Sequence, residues 1–365
     1  MDWDSICFNA ATLIAGVFVL DSGADKFLDH TVIVGQRLGI SPTLIALLTA
    51  GAEYEELAVV VAAIVQGHSP LALGNVVGSA ISNILGAFSL ALLVHPGHME
   101  FDKSAKIYSA LLLFITTLFV ILAFFNQLNK VTGSLLIAGF VIYILSIGYA
   151  IYKGVTEAPQ LSDCDSDSDS DDDLPVHQDD HAAGQNSQTS ISEHSPLLAD
   201  TAPSRDHNGA RKPPRSLFYH LCQLLLGLLA LSLSGYIIAH SAGALTQSLQ
   251  LSGTVFGLTV IAFATTLPEK FISVMSGSRG QGGIVVATTA GSNIFLLTIC
   301  IGVVAVTGIP INHTDNFVLF ELATVWISAL GLVAIVFLGS SRIAGFVLLA
   351  AYTVFIVLEF TVYRR

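Results

Sequence analysis

The chain has 365 residues, of which 53% are hydrophobic and only 12% are charged, and its mean hydropathy is +0.72. Soluble domains carry about a quarter charged residues, so this composition excludes an ordinary soluble enzyme and a disordered chain. The net charge of −12 is concentrated in residues 154–215, which hold 13 acidic and 4 basic residues. The sequence therefore predicts a membrane protein with one polar insert.

Apolar segments long enough to cross a bilayer lie on both sides of that insert. A hydrocarbon core of about 30 Å needs roughly 20 apolar residues per helix. Such segments are predicted at 8–33, 41–65, 71–94, 105–125, 132–153, 216–247, 253–278, 282–307, 317–339 and 342–363. The predicted fold is an all-α membrane protein with ten transmembrane helices, five in residues 1–153 and five in residues 216–365.

The insert at 154–215 is rich in Ser, Asp, His and Pro, and this composition cannot bury an apolar surface, so it is predicted to be a disordered acidic loop. If this loop is cytosolic, ten Lys and Arg residues lie on the cytosolic side and three on the other, which favours that orientation. Residues Glu193 to Leu198 fit an acidic dileucine sorting signal, so a sorting adaptor is a candidate partner. An endomembrane compartment of the vacuole, lysosome or Golgi type is favoured over the plasma membrane.

Removal of the insert tests whether it takes part in ion movement. Replacing residues 154–215 by a short flexible linker should leave ion flux in proteoliposomes near the wild-type rate, because a solvated tether contributes no packing to the helices. The same variant should show altered trafficking or regulation in cells. A linker variant that folds but moves no ions would place the insert in the transport machinery.

Polar landmarks recur along the two apolar halves at one constant spacing. Glu269 lies 213 positions after Glu56, and the pair Gly291-Ser292 lies 213 positions after Gly78-Ser79. Because each half has an odd number of predicted spans, the second copy enters the membrane from the opposite side. Such an inverted repeat is found in many secondary transporters, which bind substrate near the bilayer midplane at the repeat interface.

Acidic side chains lie near the middle of the second and seventh spans, where a charge costs about 3 kcal/mol or more. They are Glu53 and Glu56 in the second span and Glu269 in the seventh. The third and eighth spans supply hydroxyl and amide oxygens. Carboxylate, hydroxyl and amide oxygens are ligands for hard cations such as Ca²⁺ and Na⁺. Glu56 and Glu269 can face each other across the repeat axis and together balance one divalent ion.

Two motifs carry a family resemblance. The segment Ala264 to Glu269 resembles the G-T-S-x-P-E/D signature of the sodium/calcium exchanger family, and Gly74 to Ser79 and Gly291 to Phe295 resemble its G-N-x-x-G-S-N-I-F signature. The resemblance implies ten helices, alternating access and ion ligands from spans 2, 3, 7 and 8. The candidate cation ligands in this sequence are Glu56, Glu269, Glu53, Asn75, Ser79, Thr265, Thr266, Thr288, Ser292 and Asn293.

The sequence departs from the family pattern at several of these positions. Ala52 and Glu53 stand where the family has Thr and Ser, and Ala80 stands where Asn is usual, so oxygens of the usual sodium sites are missing. Lys270 follows the key Glu269. Glu53 either lines the cavity beside Glu56 or pairs with Lys270. Each Thr or Ser hydroxyl either binds an ion or bonds back to its own helix.

The sequence predicts a secondary antiporter that exchanges Ca²⁺ for Na⁺ or H⁺, with no cofactor and no nucleic-acid partner. Extra carboxylates at Glu53 and Glu55 favour an alternative, a proton-coupled or other-divalent exchanger. A second alternative is a degenerate, non-transporting membrane scaffold, against which the intact pair Glu56 and Glu269 argues. The sequence contains no trio of residues that indicates nucleophilic catalysis, so an enzyme is not predicted.

Overall fold

The computed structural model describes residues 3–38, 53–152, 216–308 and 319–363, and its secondary structure in these ranges is entirely helical. Most of the first half of the predicted span at 41–65 lies outside the described residues. The predicted loop at 154–215, with its sorting motif, also lies outside them.

The helices before the insert follow the predicted spans. They are α1 (Trp3–Arg37), α2 (Tyr54–Val65), α3 (Ser69–Ile81), α4 (Ser89–Val94), α5 (Lys103–Phe124) and α6 (Lys130–Tyr152). A π-helical segment, π1 (Ser82–Phe88), joins α3 to α4 without a break. At 35 residues, α1 is longer than the predicted span at 8–33, because polar residues near both ends are also helical.

The helices after the insert repeat this pattern. They are α7 (Leu217–Leu249), α8 (Gly253–Phe256), α9 (Ala262–Thr265), α10 (Leu267–Ser278), α11 (Gly282–Phe295), α12 (Ile301–Val306), α13 (Leu319–Leu338) and α14 (Arg342–Thr361). The segment π2 (Gly257–Ile261) joins α8 to α9, and π3 (Leu296–Cys300) joins α11 to α12.

Eight continuous helical segments are long and apolar enough to cross a membrane, and a bent pair brings the number within the described residues to nine. The bend is 49° and separates the segment Gly253–Thr265 from Leu267–Ser278. Pro268 in the first turn of α10 lacks a backbone N–H, which accounts for the break. The second predicted span, at 41–65, is described only in its second half, α2, so the number ten stays a prediction.

The constant spacing of the polar landmarks extends to the helix boundaries. Every residue of α2 has its counterpart in α10 at a distance of 213 positions. The turn that follows each of these helices contains a left-handed glycine, Gly67 with φ 78° and Gly280 with φ 72°. Glycine adopts this conformation without steric cost, so both turns are fixed by the same residue type.

The corresponding helices α1 and α7 run antiparallel, and α5 contacts its counterpart α13. Between α1 and α7, an added Cβ at Gly16 would lie 2.9 Å from Ile238 Cγ1, and one at Gly227 would lie 2.7 Å from Phe27 N. Between α5 and α13, Trp326 Nε1 donates to Thr117 Oγ1 at 3.0 Å. In the first pair, residue numbers rise along one helix as they fall along the other. The predicted inversion of the repeat is therefore visible in the packing.

Glycines allow α3 to approach the segment α8–π2 at backbone distance. A Cβ added to Gly74 would lie 2.3 Å from the carbonyl oxygen of Thr254, and one added to Gly78 would lie 2.3 Å from that of Leu258. No side chain fits at these distances, so the two segments touch through their main chains. This contact brings the third and seventh predicted spans together at the centre of the protein.

Candidate cation-binding site

Two helix N-termini carry the acidic residues of the site. Glu53 immediately precedes α2 and Glu56 lies in its first turn, while Glu269 lies in the first turn of α10. A helix N-terminus carries a partial positive charge that favours nearby carboxylates. Because α2 and α10 are repeat mates, the fold brings the three carboxyl groups together. Glu53 is within hydrogen-bonding reach of both Glu56 and Glu269.

These carboxyl groups are buried and short of hydrogen-bond donors. Glu56 is fully buried, and Glu53 and Glu269 are 6% and 9% exposed. Among the residues that the structure describes, no donor reaches either oxygen of Glu56 or the Oε2 atom of Glu269. A buried charge without partners is strongly unfavourable. Adjacent carboxylates in such surroundings need a shared proton or a bound cation.

The amide and hydroxyl predicted from the third span are also buried without partners. Asn75 and Ser79 are both 0% exposed on α3. Within the described ranges, the Asn75 Oδ1 and Nδ2 atoms and the Ser79 Oγ atom make no hydrogen bond. Unsatisfied buried polar atoms are rare in native proteins and call for a ligand, water or ion. These side chains therefore have unused oxygens for a cation.

In the eighth span, unlike the third, the predicted amide has hydrogen-bond partners. Asn293 Nδ2 donates to the carbonyl oxygen of Ala80 at 3.1 Å, and Asn293 Oδ1 accepts from Asn83 Nδ2 at 3.3 Å. The Asn293 amide thus ties α11 to α3 and π1. Ser292 is buried and Thr288 is half-buried on α11.

The hydroxyls of the seventh span bond back to their own helix. Thr265 Oγ1 donates to the carbonyl oxygen of Ile261 at 3.1 Å, and Thr266 Oγ1 donates to that of Ala262. Both hydroxyls therefore make the local backbone hydrogen bond. A hydroxyl that donates in this way keeps its lone pairs, so it can still accept from or coordinate a cation.

Lys270 lies in a polar cluster that the sequence did not indicate. Its ammonium donates to Ser82 Oγ at 2.9 Å, to the carbonyl oxygen of Thr266 at 3.1 Å, and to Thr266 Oγ1. Tyr352 of α14 donates to the same Ser82 Oγ at 2.9 Å. The hydrogen bonds of Lys270 within the described chain do not include Glu53, so the alternative in which Glu53 pairs with Lys270 gains no support.

The sequence did not indicate Ser82, Asn83 or Tyr352 as residues of this polar cluster or its surroundings. Ser82 and Asn83 follow Ser79 by three and four positions, which places them on the same helix face, so helical periodicity could have found them. Tyr352 lies in the last span, where its sequence gives no comparable signal.

A divalent ion at this site would depend on mixed oxygen ligands. Within the described ranges, no group of three or more His, Cys, Asp and Glu side chains is arranged to hold one metal ion. A cation would therefore be held by one or two carboxylates together with hydroxyl, amide and backbone oxygens. Ca²⁺ accepts such mixed, irregular oxygen sets.

A second acidic group lies beside the site on α1. The Glu55 carboxyl interacts electrostatically with Asp21 and Asp25, and it also interacts with Glu53. Asp21 is half-buried, whereas Asp25 and Asp29 are exposed. These side chains extend the negative charge of the site towards one face of α1.

Comparisons with known proteins give matches over most of the chain. The family model described as sodium/calcium exchanger protein matches residues 8–148 and 219–361. The chain is 24% identical to the sodium/calcium exchanger MaX1 of Methanosarcina acetivorans, over 97% of this chain and 99% of that protein. It is 25% identical to the inner membrane protein YrbG of Escherichia coli, over 81% and 78%.

A solved structure shares the fold. The sodium-calcium exchanger NCX_Mj, soaked with Na⁺ and Sr²⁺, superposes with a TM-score of 0.53 at 21% sequence identity, covering 96% of this chain and 98% of that chain.

Proposed function

Because the chain belongs to the sodium/calcium exchanger family, we propose that it is a secondary cation antiporter that exchanges Ca²⁺ for Na⁺ or H⁺ by alternating access. The observation that carries the proposal is the group Glu53, Glu56 and Glu269, buried together with few hydrogen-bond donors. A buried negative charge of this kind is stable only when a cation or proton compensates it.

Ca²⁺ is the proposed divalent substrate because the site offers carboxylate, amide and hydroxyl oxygens. Thiolates and imidazoles favour softer transition metals, whereas carboxylate, carbonyl and hydroxyl oxygens favour Ca²⁺ and Mg²⁺. Ca²⁺ accepts irregular sets of mixed oxygen ligands, whereas Mg²⁺ demands near-octahedral coordination, so the variety of ligands favours Ca²⁺. We propose Glu56 and Glu269 as the principal ligands, with Asn75 and Ser79 as neutral ones.

The alternative is exchange of a divalent cation for protons. It is supported by Glu53, which replaces a neutral family position and lies within hydrogen-bonding reach of Glu56 and Glu269. A proton shared between neighbouring carboxyl groups can neutralise one charge when the cation leaves. The membrane scaffold without transport is the third candidate. It is disfavoured because a scaffold has no use for three buried carboxyl groups.

Flux measurements separate these candidates. The purified protein is reconstituted in liposomes, and ⁴⁵Ca²⁺ uptake is driven in turn by an outward gradient of Na⁺, of K⁺ and of H⁺. Uptake driven by Na⁺ alone supports the sodium exchanger, and uptake driven by H⁺ alone supports the proton-coupled one. Absence of Ca²⁺ uptake under all three gradients, in liposomes that contain folded protein, would overturn the antiport proposal.

The pH dependence of transport should reflect the extra carboxyl group. Protons compete with Ca²⁺ for Glu53, Glu56 and Glu269, so uptake should fall as the pH is lowered. In Glu53→Ser one competing carboxyl group is absent, and we expect weaker acid inhibition, with the half-inhibitory pH shifted downward. The measurement is initial ⁴⁵Ca²⁺ uptake against pH. Coincident profiles for wild type and Glu53→Ser would show that Glu53 does not tune the site.

A further inference from the structure

The Lys270 ammonium is held by neutral oxygens. Two hydroxyls and one carbonyl accept its hydrogen bonds, from Ser82 and Thr266, and the ring of Phe263 lies 4.9 Å from Nζ. The side chain is 8% exposed. A lysine that compensates one particular acid donates directly to its carboxylate, as in a salt bridge. The Lys270 ammonium is instead surrounded by oxygens and the face of an aromatic ring, which are the surroundings that a bound small cation has.

The cluster around the ammonium is built from several elements. Tyr352 of α14 donates to the same Ser82 hydroxyl that accepts from the Lys270 ammonium. A Cβ added to Gly86 of π1 would lie 3.3 Å from Lys270 Cε, so the glycine leaves room for the lysine stem. The position of the ammonium is therefore determined by π1, α10 and α14 together.

The sum of the buried charges around the site explains why a lysine lies at this position. Four buried charged groups lie close together, namely Glu53, Glu56, Glu269 and Lys270, and their formal charges sum to −2. One divalent ion neutralises the charge of these four groups, while the half-buried Glu55 also interacts electrostatically with Glu56 and Glu269. The repeat mates of Glu53 and Lys270 are the uncharged Thr266 and Leu57, so one half of the protein has gained an acid and the other half a base. Without the ammonium, a bound Ca²⁺ would leave one negative charge uncompensated.

We propose that the Lys270 ammonium is a tethered monovalent cation, which occupies an oxygen-lined position that would otherwise take up a separate ion such as K⁺. This inference rests on the proposed Ca²⁺ site, and it adds that Ca²⁺ binding needs no further monovalent ion. Lysine suits this role because its ammonium is a compact point charge of the size class of small monovalent cations.

The test replaces the tethered cation by a free one. Lys270→Ala removes the ammonium and leaves space for methylammonium or K⁺, whereas Lys270→Met removes the charge but fills most of that space. Lys106→Ala, on α5 over the ring of Phe337, is the matched control for losing a lysine elsewhere. The melting temperature of each purified protein is measured in choline, K⁺ and methylammonium chloride at constant ionic strength.

In choline we expect Lys270→Ala to melt below the wild type, because an uncompensated buried charge remains. Methylammonium or K⁺ should raise its melting temperature in a saturable manner, since a ligand of the native state stabilises that state. Wild type, Lys106→Ala and Lys270→Met should show no such dependence. In liposomes, ⁴⁵Ca²⁺ self-exchange by Lys270→Ala should fall more than about tenfold and recover with methylammonium.

The other outcomes contradict the proposal. It is wrong if Lys270→Ala folds and is insensitive to both ions, if wild type responds equally, or if Lys270→Met is rescued as well. It is also wrong if neither variant folds even in methylammonium or K⁺. A wild type that moves no Ca²⁺, beside a Lys270→Ala protein stabilised by methylammonium, would overturn the proposed function and leave the assignment of Lys270 standing.

Discussion

Glu56→Gln and Glu269→Gln should each abolish Ca²⁺ transport while leaving the protein folded. The amide preserves the shape of the side chain and removes one unit of negative charge from a buried group. At an effective dielectric of 20, two unit charges 4 Å apart attract by about 4 kcal/mol, which corresponds to about a thousandfold in affinity. Removal of one negative charge weakens the attraction of a divalent ion more than that of a monovalent ion. Ca²⁺ binding at physiological Ca²⁺ concentrations should therefore be undetectable.

The measurement is initial ⁴⁵Ca²⁺ uptake by purified protein in liposomes, with folding checked by size-exclusion chromatography. Glu100→Gln is the matched control, because Glu100 is an exposed residue before α5 and lies outside the site. Its uptake should equal that of the wild type. Normal Ca²⁺ uptake by either Glu56→Gln or Glu269→Gln would refute the assignment of that carboxylate as a ligand.

Gly78→Ala should destabilise the protein and reduce transport strongly, although it changes no charged group. The new methyl carbon would lie 2.3 Å from the carbonyl oxygen of Leu258 and 2.6 Å from its Cα. Backbone atoms cannot rotate away, so α3 and π2 must separate. Overpacking of a well-packed interior costs about 1–3 kcal/mol, and the displacement also moves Asn75 and Ser79 away from the facing span.

The comparison is with Gly139→Ala on α6, where an added Cβ meets nothing within 4 Å. Both variants place the same methyl group in a membrane helix, so helix propensity cannot explain a difference between them. We expect a lower melting temperature and lower ⁴⁵Ca²⁺ uptake for Gly78→Ala only. Equal melting temperatures for the two variants would contradict the close approach of α3 to π2.

The sequence predicted the parts of the fold that depend on regular patterns. The lengths of the apolar segments predicted the spans, and the 213-residue spacing between Glu56 and Glu269 predicted the repeat. Both can be measured along the sequence alone. The bend beside Pro268 and the three π-helical segments were not predicted. These depend on which backbone groups find partners across the protein, and such partners are distant in sequence.

For the candidate site too, the sequence indicated features that are visible along the chain but not the contacts between residues distant in sequence. Carboxylates in the middle of apolar spans are visible in a sequence because they are so unfavourable there. The cluster of Lys270, Ser82 and Tyr352 joins residues that are 188 to 270 positions from Ser82, and only the packing of α10, π1 and α14 brings them together. One of the two alternatives for Glu53 was a pairing with Lys270, suggested by charge alone. The structure instead gives the ammonium neutral oxygens.

The length of α1 and α7 has a consequence for the surrounding lipid. At 1.5 Å per residue, helices of 35 and 33 residues are each about 50 Å long, whereas the hydrocarbon core is about 30 Å thick. The pair must therefore cross obliquely or extend well into the headgroup regions. Close contacts at Gly16, Gly23 and Gly227 join the middle portions of the two helices. Because α1 and α7 belong to different halves, a change of bilayer thickness that alters the tilt of this pair acts on both halves of the protein at once.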